Sequence, residues 1–393
     1  MFLRGLCILG IIITQFILAE PLPISVNAEA AILMNAETGQ ILFEKNARSL
    51  QYPASITKIA TALYALKMKG NQLDTKIVAE QESVASIAEE AKRRAQYTLP
   101  AYWLVPGGSH IGIKKGEVLT LNDLLHGMMV ASGNDASNVI AQHIGGTIPE
   151  FMNQLNAYLK DIGCGQTTFY NPHGLHHPMH QTTAYDMALI TREALKNATF
   201  RQIVSSVRYT RPKTNKQEPA TLIQSNRLLR SGKYYYQKAI GVKTGYTSIA
   251  LSTFVGAAKH NERTLICVLL KTKEREDMFK DCIKMFETAF NQPKVQRTLL
   301  KTGPQKFTLE VKGAVSPVKT YIQNNVFIDY YPAEEPKLKC FLTWDVVAPP
   351  IKKDQRVGEL TIKNNEGQAL QKVPLFAQEE VPSTWIYWLQ HLF

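Results

Sequence analysis

Three short stretches of the chain pair residue types suited to nucleophilic chemistry. Ser55-x-x-Lys58 opens an apolar helical pattern, Ser132-x-Asn134 lies between two such patterns, and Lys243-Thr244-Gly245 sits on an apolar strand pattern. A serine hydroxyl is a weak nucleophile and needs an adjacent base. Three residues apart on a helix, Ser55 and Lys58 share a face. Lys58 accepts a proton only when uncharged, so its pKa must fall by about 3 units from about 10.4, at roughly 4 kcal/mol. Burial plus a second cation would do this, and Lys243 is the candidate. Asn134 is placed to orient Lys58 and a substrate amide, and Ser132 to pass a proton to a leaving nitrogen. Ser55 near a helix N-terminus also sits where a developing anion is favoured. The backbone N–H groups of Ser55 and Tyr246 are the candidate oxyanion hole, each such donor contributing about 2.7–4 kcal/mol. Lys243 and Thr244 are the candidate carboxylate grip.

Each motif is weak alone. A second Lys-Thr-Gly, Lys301–Gly303, precedes Pro304 in a linker-like stretch and is expected to be inert. The chain has no G-x-S-x-G, which removes the α/β-hydrolase route. His173, His176, His177 and His180 fall within NPHGLHHPMH. Close-spaced histidines can bind zinc, but Pro172, Gly174 and Pro178 prevent a regular helix and there is no H-E-x-x-H. A structural loop beside the site is expected, with no metal and no cofactor.

The elements that must position these groups follow from periodicity. Ala28–Lys45 reads as a hairpin around Gly39, and a helix opened by Pro53 runs to Gly70. Thr120 and Asp123 form a capping-box-like start to a second helix, and a third covers about Asp135 to Ile144. Residues 183–196 are amphipathic. Strand patterns return at 240–244, 251–258 and 264–271, followed by a helix through Phe290. Strands enclosing a helical middle predict an α+β domain: one antiparallel sheet with helices packed on it. Past Pro293 short alternating runs predict a small all-β domain over 296–380. Residues 89–102 look like an exposed basic insertion.

With 393 residues, 45% hydrophobic and 20% charged, the chain has material for two or three domains and is not disordered. The net charge of +12 suits a polyanion or an anionic membrane face. Without a basic, aromatic-interleaved run or a C-x2-C pair, nucleic acid is not expected. Arg4 and the apolar stretch Gly5–Ala19 read as a signal peptide within residues 1–28, cut after Ala19 or Ala28. A buried helix and an uncleaved anchor are the alternatives. Export places the rest on the extracytoplasmic side. Four cysteines then remain, Cys164, Cys267, Cys282 and Cys340, too few in this length for a disulfide scaffold. The aromatic tail STWIYWLQHLF, within 381–393, is too short to span a bilayer and suits its interface, or else docks on the protein.

Taken together, the trio and the stretches AAILMNAETGQILFEKNA, PASITKIATAL, GGSHIGIKKGE, MMVASGNDASN, NPHGL, AYDMALI and GVKTGYT resemble the D-alanyl-D-alanine carboxypeptidases, low-molecular-weight penicillin-binding proteins. The resemblance covers most of a catalytic domain set at 29–295. It implies a β-lactamase/transpeptidase-like fold, then a β-domain and an amphipathic membrane-surface helix. It implies Ser55 as nucleophile, Lys58 as base, Ser132 and Asn134 on the second motif, and Lys243, Thr244 and Gly245 on the third. The implied reaction removes terminal D-alanine from peptidoglycan stem pentapeptides through an acyl-enzyme, with β-lactams as acylating ligands. The chain departs from the family at Ala250–Leu251, where an Ala-Gly step is usual. Alternatives on the same site are endopeptidase or transpeptidase action and β-lactamase activity. The last would need a glutamate-held water, and Glu193 in EALKN is out of register for it. A non-catalytic wall-binding protein is the reading of a different class.

Overall fold

The computed structural model of the chain describes residues 9–11, 22–365 and 367–390. The described residues divide into two compact units: 22–291, and 292–390 together with Leu9–Ile11. Apart from Leu9–Ile11, which pairs with Cys340–Leu342 at one sheet edge, the leader before Leu22 lies outside the described residues.

The first unit is α+β, as expected. Strands β1 (Ala30–Asn35) and β2 (Ile41–Lys45) form the hairpin. Helix α1 spans Lys58–Lys69, α2 Leu121–Met129, α3 Asn134–Gly145, α4 Ile148–Asp161, α5 Ala184–Leu195 and α6 Ala198–Ser205. Strands β3 (Ala239–Thr247), β4 (Leu251–His260) and β5 (Arg263–Thr272) and helix α7 (Arg275–Phe290) complete it. The antiparallel sheet has the order β2-β1-β5-β4-β3. Each strand of the β1, β4 and β5 centre is almost wholly buried, as a sheet covered on both faces requires.

Helix starts follow their capping residues. Thr120 and Asp123 form the full capping box of α2, each side chain accepting from the other's backbone N–H at 3.0 and 3.1 Å. Thr147, Thr183 and Asn197 cap α4, α5 and α6 through side-chain oxygens. The buried Glu117 carboxylate ties a hairpin of Arg208–Arg211 and Ala220–Ile223 to the preceding loop. It accepts from Thr214 Oγ1 at 2.7 Å and Lys114 N–H at 3.0 Å.

Residues 89–102 are not a solvated excursion. Glu89–Arg94 is a short helix, and Lys92 is buried with its ammonium on the Trp103 carbonyl. Tyr97 packs edge-on against His176 and His177, ring centres 5.4 and 5.9 Å apart. Only the outward charges, Arg93 and Arg94 beside Glu90, match the expected basic surface.

The second unit is all-β apart from short helical turns. Its strands are β6 (Val295–Leu300), β7 (Gly303–Leu309), β8 (Val318–Ile322), β9 (Val326–Tyr330), β10 (Lys339–Trp344), β11 (Arg356–Lys363) and β12 (Ala369–Ala377). A sheet runs from Leu9–Ile11 through β10-β11-β12-β8-β7, and β6 pairs with β9. Because β6 belongs to this unit, the boundary falls at Asn291–Gln292, four residues before the expected one. Val381 and Ser383 bridge to Ile351 and Ala314, so the terminal helix α8 (Trp385–Gln390) begins four residues after the expected start at 381, and residues 391–393 of the expected helix lie outside the described residues. The second Lys-Thr-Gly leads into β7 of this unit.

Candidate active site

The sequence predicts one helix from Pro53. Instead, a 3₁₀ turn, Ala54–Thr57, precedes α1, and Ala54 takes a left-handed φ of 50°. Such backbone is costly for a non-glycine residue and must be held by its surroundings. Thr57 Oγ1 donates to the Ala54 carbonyl at 2.9 Å, and Thr253 Oγ1 of β4 donates to the Pro53 carbonyl at 2.7 Å. His180 completes this support. Its Nδ1 accepts from the Tyr170 N–H, so its Nε2 carries the proton and donates to Thr57 Oγ1 at 2.9 Å. Burial first, then the neighbouring His177, pushes the His180 pKa down to about 3, so the ring stays neutral.

Ser55, half-buried in this turn, is brought to Lys58 at the head of α1, with 3.0 Å between Oγ and Nζ. Lys58 is fully buried, and its nitrogen also reaches Asn134 Oδ1 and the His173 carbonyl, both at 2.7 Å. Burial, and next the Lys243 charge, hold its pKa well below the usual lysine range, while Asp135 acts the other way. That is the combination the sequence called for. Asp135 serves mainly as a clasp. It accepts from the N–H groups of Ile111 and Ile113 at 3.1 and 3.0 Å and fixes that loop to the start of α3.

Ser132 is buried in the α2–α3 connection with a left-handed φ of 63°. Its hydroxyl makes no hydrogen bond to another described residue, so the structure does not join it directly to Lys58. On β3, Lys243 is fully buried and donates to the Thr244 carbonyl at 3.0 Å. Burial and then Arg275 bring its pKa down to about 7. Thr244 Oγ1 lies 2.8 Å from Ser225 Oγ. Gly245 pairs with Thr253, and a Cβ on it would come within 2.8 Å of the Ser55 nitrogen. Only glycine lets the strand pass this close to the backbone N–H of the turn. Tyr246, the next residue, is 63% exposed at the strand end.

The histidine segment is a wall of this site. The His173 ring donates from Nε2 to the Tyr102 carbonyl at 3.0 Å and accepts the Leu175 N–H at Nδ1, and burial holds it neutral. Gly174, at φ 91°, lies against the reactive turn, where a Cβ would fall 1.9 Å from the Ala54 carbonyl oxygen. Among the described residues no group of three potential metal ligands converges. Glu193 pairs with Lys196 at 2.6 Å on the α5 surface, away from any role as a buried base.

Sequence reasoning missed the His173 carbonyl, Thr57, Ser225 and Arg275, and had His180 only as part of a loop beside the site. The first is a backbone group and has no residue signature. Thr57 lies inside the first motif but between its two reactive positions, whereas Ser225 and Arg275 come from distant segments, and only an Arg at the head of a helix following the third motif offered a faint signal.

The chain as a whole is similar to known proteins. Residues 15–274 match the model of Peptidase S11, described as D-alanyl-D-alanine carboxypeptidase. The chain is 30% identical over 370 residues to the D-alanyl-D-alanine carboxypeptidase DacF of Bacillus subtilis, covering 90% of this chain and 86% of that one. Its fold is similar to the crystal structure of DacD from Francisella tularensis, with a TM-score of 0.62 and 25% identity over 94% of this chain and 97% of that one. It also resembles the Streptomyces K15 DD-transpeptidase, with a TM-score of 0.58 and 27% identity over 68% of this chain and 98% of the other. A family match over about two thirds of the chain, together with a relative 30% identical along nearly its whole length, shows that the chain belongs to the Peptidase S11 family of D-alanyl-D-alanine carboxypeptidases.

Proposed function

We propose that the carboxypeptidase reaction runs through an acyl-enzyme on Ser55. The Ser55 hydroxyl attacks the carbonyl carbon of the penultimate D-alanine while its proton passes to neutral Lys58. The oxyanion accepts from the backbone N–H groups of Ser55 and Tyr246. The C–N bond then breaks, and the proton leaves through Ser132 to the amine of departing D-alanine. Water, deprotonated by Lys58, releases the shortened peptide. Asn134 orients Lys58 and the substrate amide. Lys243, Thr244 and Gly245 hold the terminal carboxylate, with Arg275 adding charge and Ser225 orienting the Thr244 hydroxyl. The observation that carries this reading is the 3.0 Å approach of a fully buried lysine nitrogen to the Ser55 oxygen. Burial and Lys243 favour the neutral amine that a base must be.

Release of D-alanine from a soluble acyl-D-Ala-D-Ala peptide tests it. Ser55→Ala should abolish release, and Lys58→Ala should lower kcat by at least about a hundredfold. Retained turnover in Ser55→Ala overturns the assignment. The likeness to a DD-transpeptidase supports a second reading, in which an amine replaces water as acceptor. A crosslinked muropeptide, assayed alongside, separates the two.

Cleavage of the leader and action at the extracytoplasmic face of the cytoplasmic membrane extend the proposal. No described helix is long and apolar enough to cross a membrane. Trp385, Ile386, Trp388 and Leu389 of α8 are nonetheless about half or more exposed, whereas Tyr387 lies against Gly313. Such a helix suits lying at a bilayer surface.

A further inference from the structure

The second unit holds a groove of about 420 Å³ that no part of the reaction uses. It arises where two strands part. β8 pairs with β12 only through Thr320–Ala377 and Tyr321–Phe376, after which the chain turns at residues 323–325 and β9 leaves to pair with β6. Before Phe376, residues 369–375 of β12 have no strand partner on this outer edge among the described residues. The gap is crossed by one side chain, Gln371, whose Nε2 donates to the Phe327 carbonyl at 2.8 Å.

The lining has a definite chemistry. Four carboxamides, Gln323, Asn324, Asn325 and Gln371, surround it, with the rings of Phe327 and Phe376. Two are pinned at one end only. Asn325 Oδ1 accepts the Thr302 N–H at 2.8 Å, leaving its amide hydrogens, and Gln371 donates as above, leaving its carbonyl oxygen. Phe327 is 37% exposed. Lys372 is the one charged residue lining the groove, and it faces Glu359 at 3.4 Å. A polyanion or a cation finds no unmatched charge here. An added peptide strand meets Pro374, which has no N–H to offer, and the Gln371 bridge. Hydroxyl and acetamido groups both donate and accept, as carboxamides do, and the apolar face of a sugar ring suits an exposed aromatic ring.

We infer that this groove binds a neutral acetamido-sugar chain, the chemistry of the glycan strand to which the stem peptides are attached. The inference rests on peptidoglycan being the substrate, and it assigns the second unit a hold on the polymer separate from the peptide site.

The test titrates the full chain with an N-acetylglucosamine tetramer, and separately with an uncharged extended pentapeptide, by calorimetry. The tetramer should bind and the pentapeptide should not. Gln371→Ala and Asn324→Ala should each weaken tetramer binding about tenfold. Both variants should keep the thermal midpoint and the wild-type rate on a soluble acyl-D-Ala-D-Ala peptide, while losing rate on intact sacculi. Normal peptide turnover without tetramer binding overturns the groove assignment and leaves the catalytic reading standing. Binding of the pentapeptide in place of the tetramer, or tetramer binding that both substitutions leave unchanged, also overturns it.

Discussion

Lys243, proposed to hold the substrate carboxylate, carries a charge that the fold disfavours. Its folded pKa of about 7 lies below the usual lysine value, because burial and Arg275 penalise the charge. Between about pH 7 and 10.5 the unfolded chain therefore binds more protons than the folded one, and stability from this site rises with pH, by up to about 1.4 kcal/mol per unit. Below that window the penalty is fully present. Lys243→Met should accordingly raise the thermal midpoint at pH 7, with a gain over wild type that shrinks toward pH 10. Differential scanning calorimetry across that range checks it, and a gain that grows with pH contradicts it. The same variant should lose carboxypeptidase activity, since the substrate carboxylate loses its cation. At this scale the sequence was informative about side chains and about backbone groups tied to a motif, and silent about backbone groups outside the motifs. Ser55, Lys58, Asn134 and Lys243 declare themselves because their spacing fixes their geometry. The His173 carbonyl does not, since any residue type supplies one.

Elements explain why the reactive turn holds its shape. The segment Asn171–Gly174 is packed so closely on Ala54 that Gly174→Ala would force backbone apart at a position already left-handed. Together the clash and the φ should cost about 2–4 kcal/mol. The expected outcome is a midpoint drop and much slower acylation, read by thermal melts and stopped-flow with a fluorescent penicillin. Unchanged acylation in a stably folded variant would mean the turn does not depend on this wall. Periodicity was a good guide to most helices here, but α4 and α6 were missed. The Thr147 cap of α4, its Pro149 and its buried Ile148, Phe151, Leu155 and Leu159 are plain once its bounds are known. The insertion was misread because charge density suggested solvent, whereas Lys92 buries its stem and finds a carbonyl. The 3₁₀ turn was not legible either, since it is imposed by Thr253 and His180 from distant segments.

At the scale of the whole molecule, each unit has its own buried core. The all-β character of the second was readable from alternation, but its β6 edge was not, because Val295–Leu300 has no fully buried residue and lacks a clear apolar face. If α8 lies on a membrane, removing residues 383–393 should release the processed protein to the soluble fraction while leaving turnover of a soluble peptide unchanged. Continued membrane association of the truncated, processed chain would contradict that role. The central claim is that one serine becomes reactive beside a buried neutral amine. Incubating the full chain with benzylpenicillin and reading the intact mass, then the modified peptide, tests it most directly. The account predicts one added penicilloyl group per chain, carried on Ser55 and absent from Ser55→Ala. A stable adduct on another residue, or none in a protein that still releases D-alanine, would contradict it.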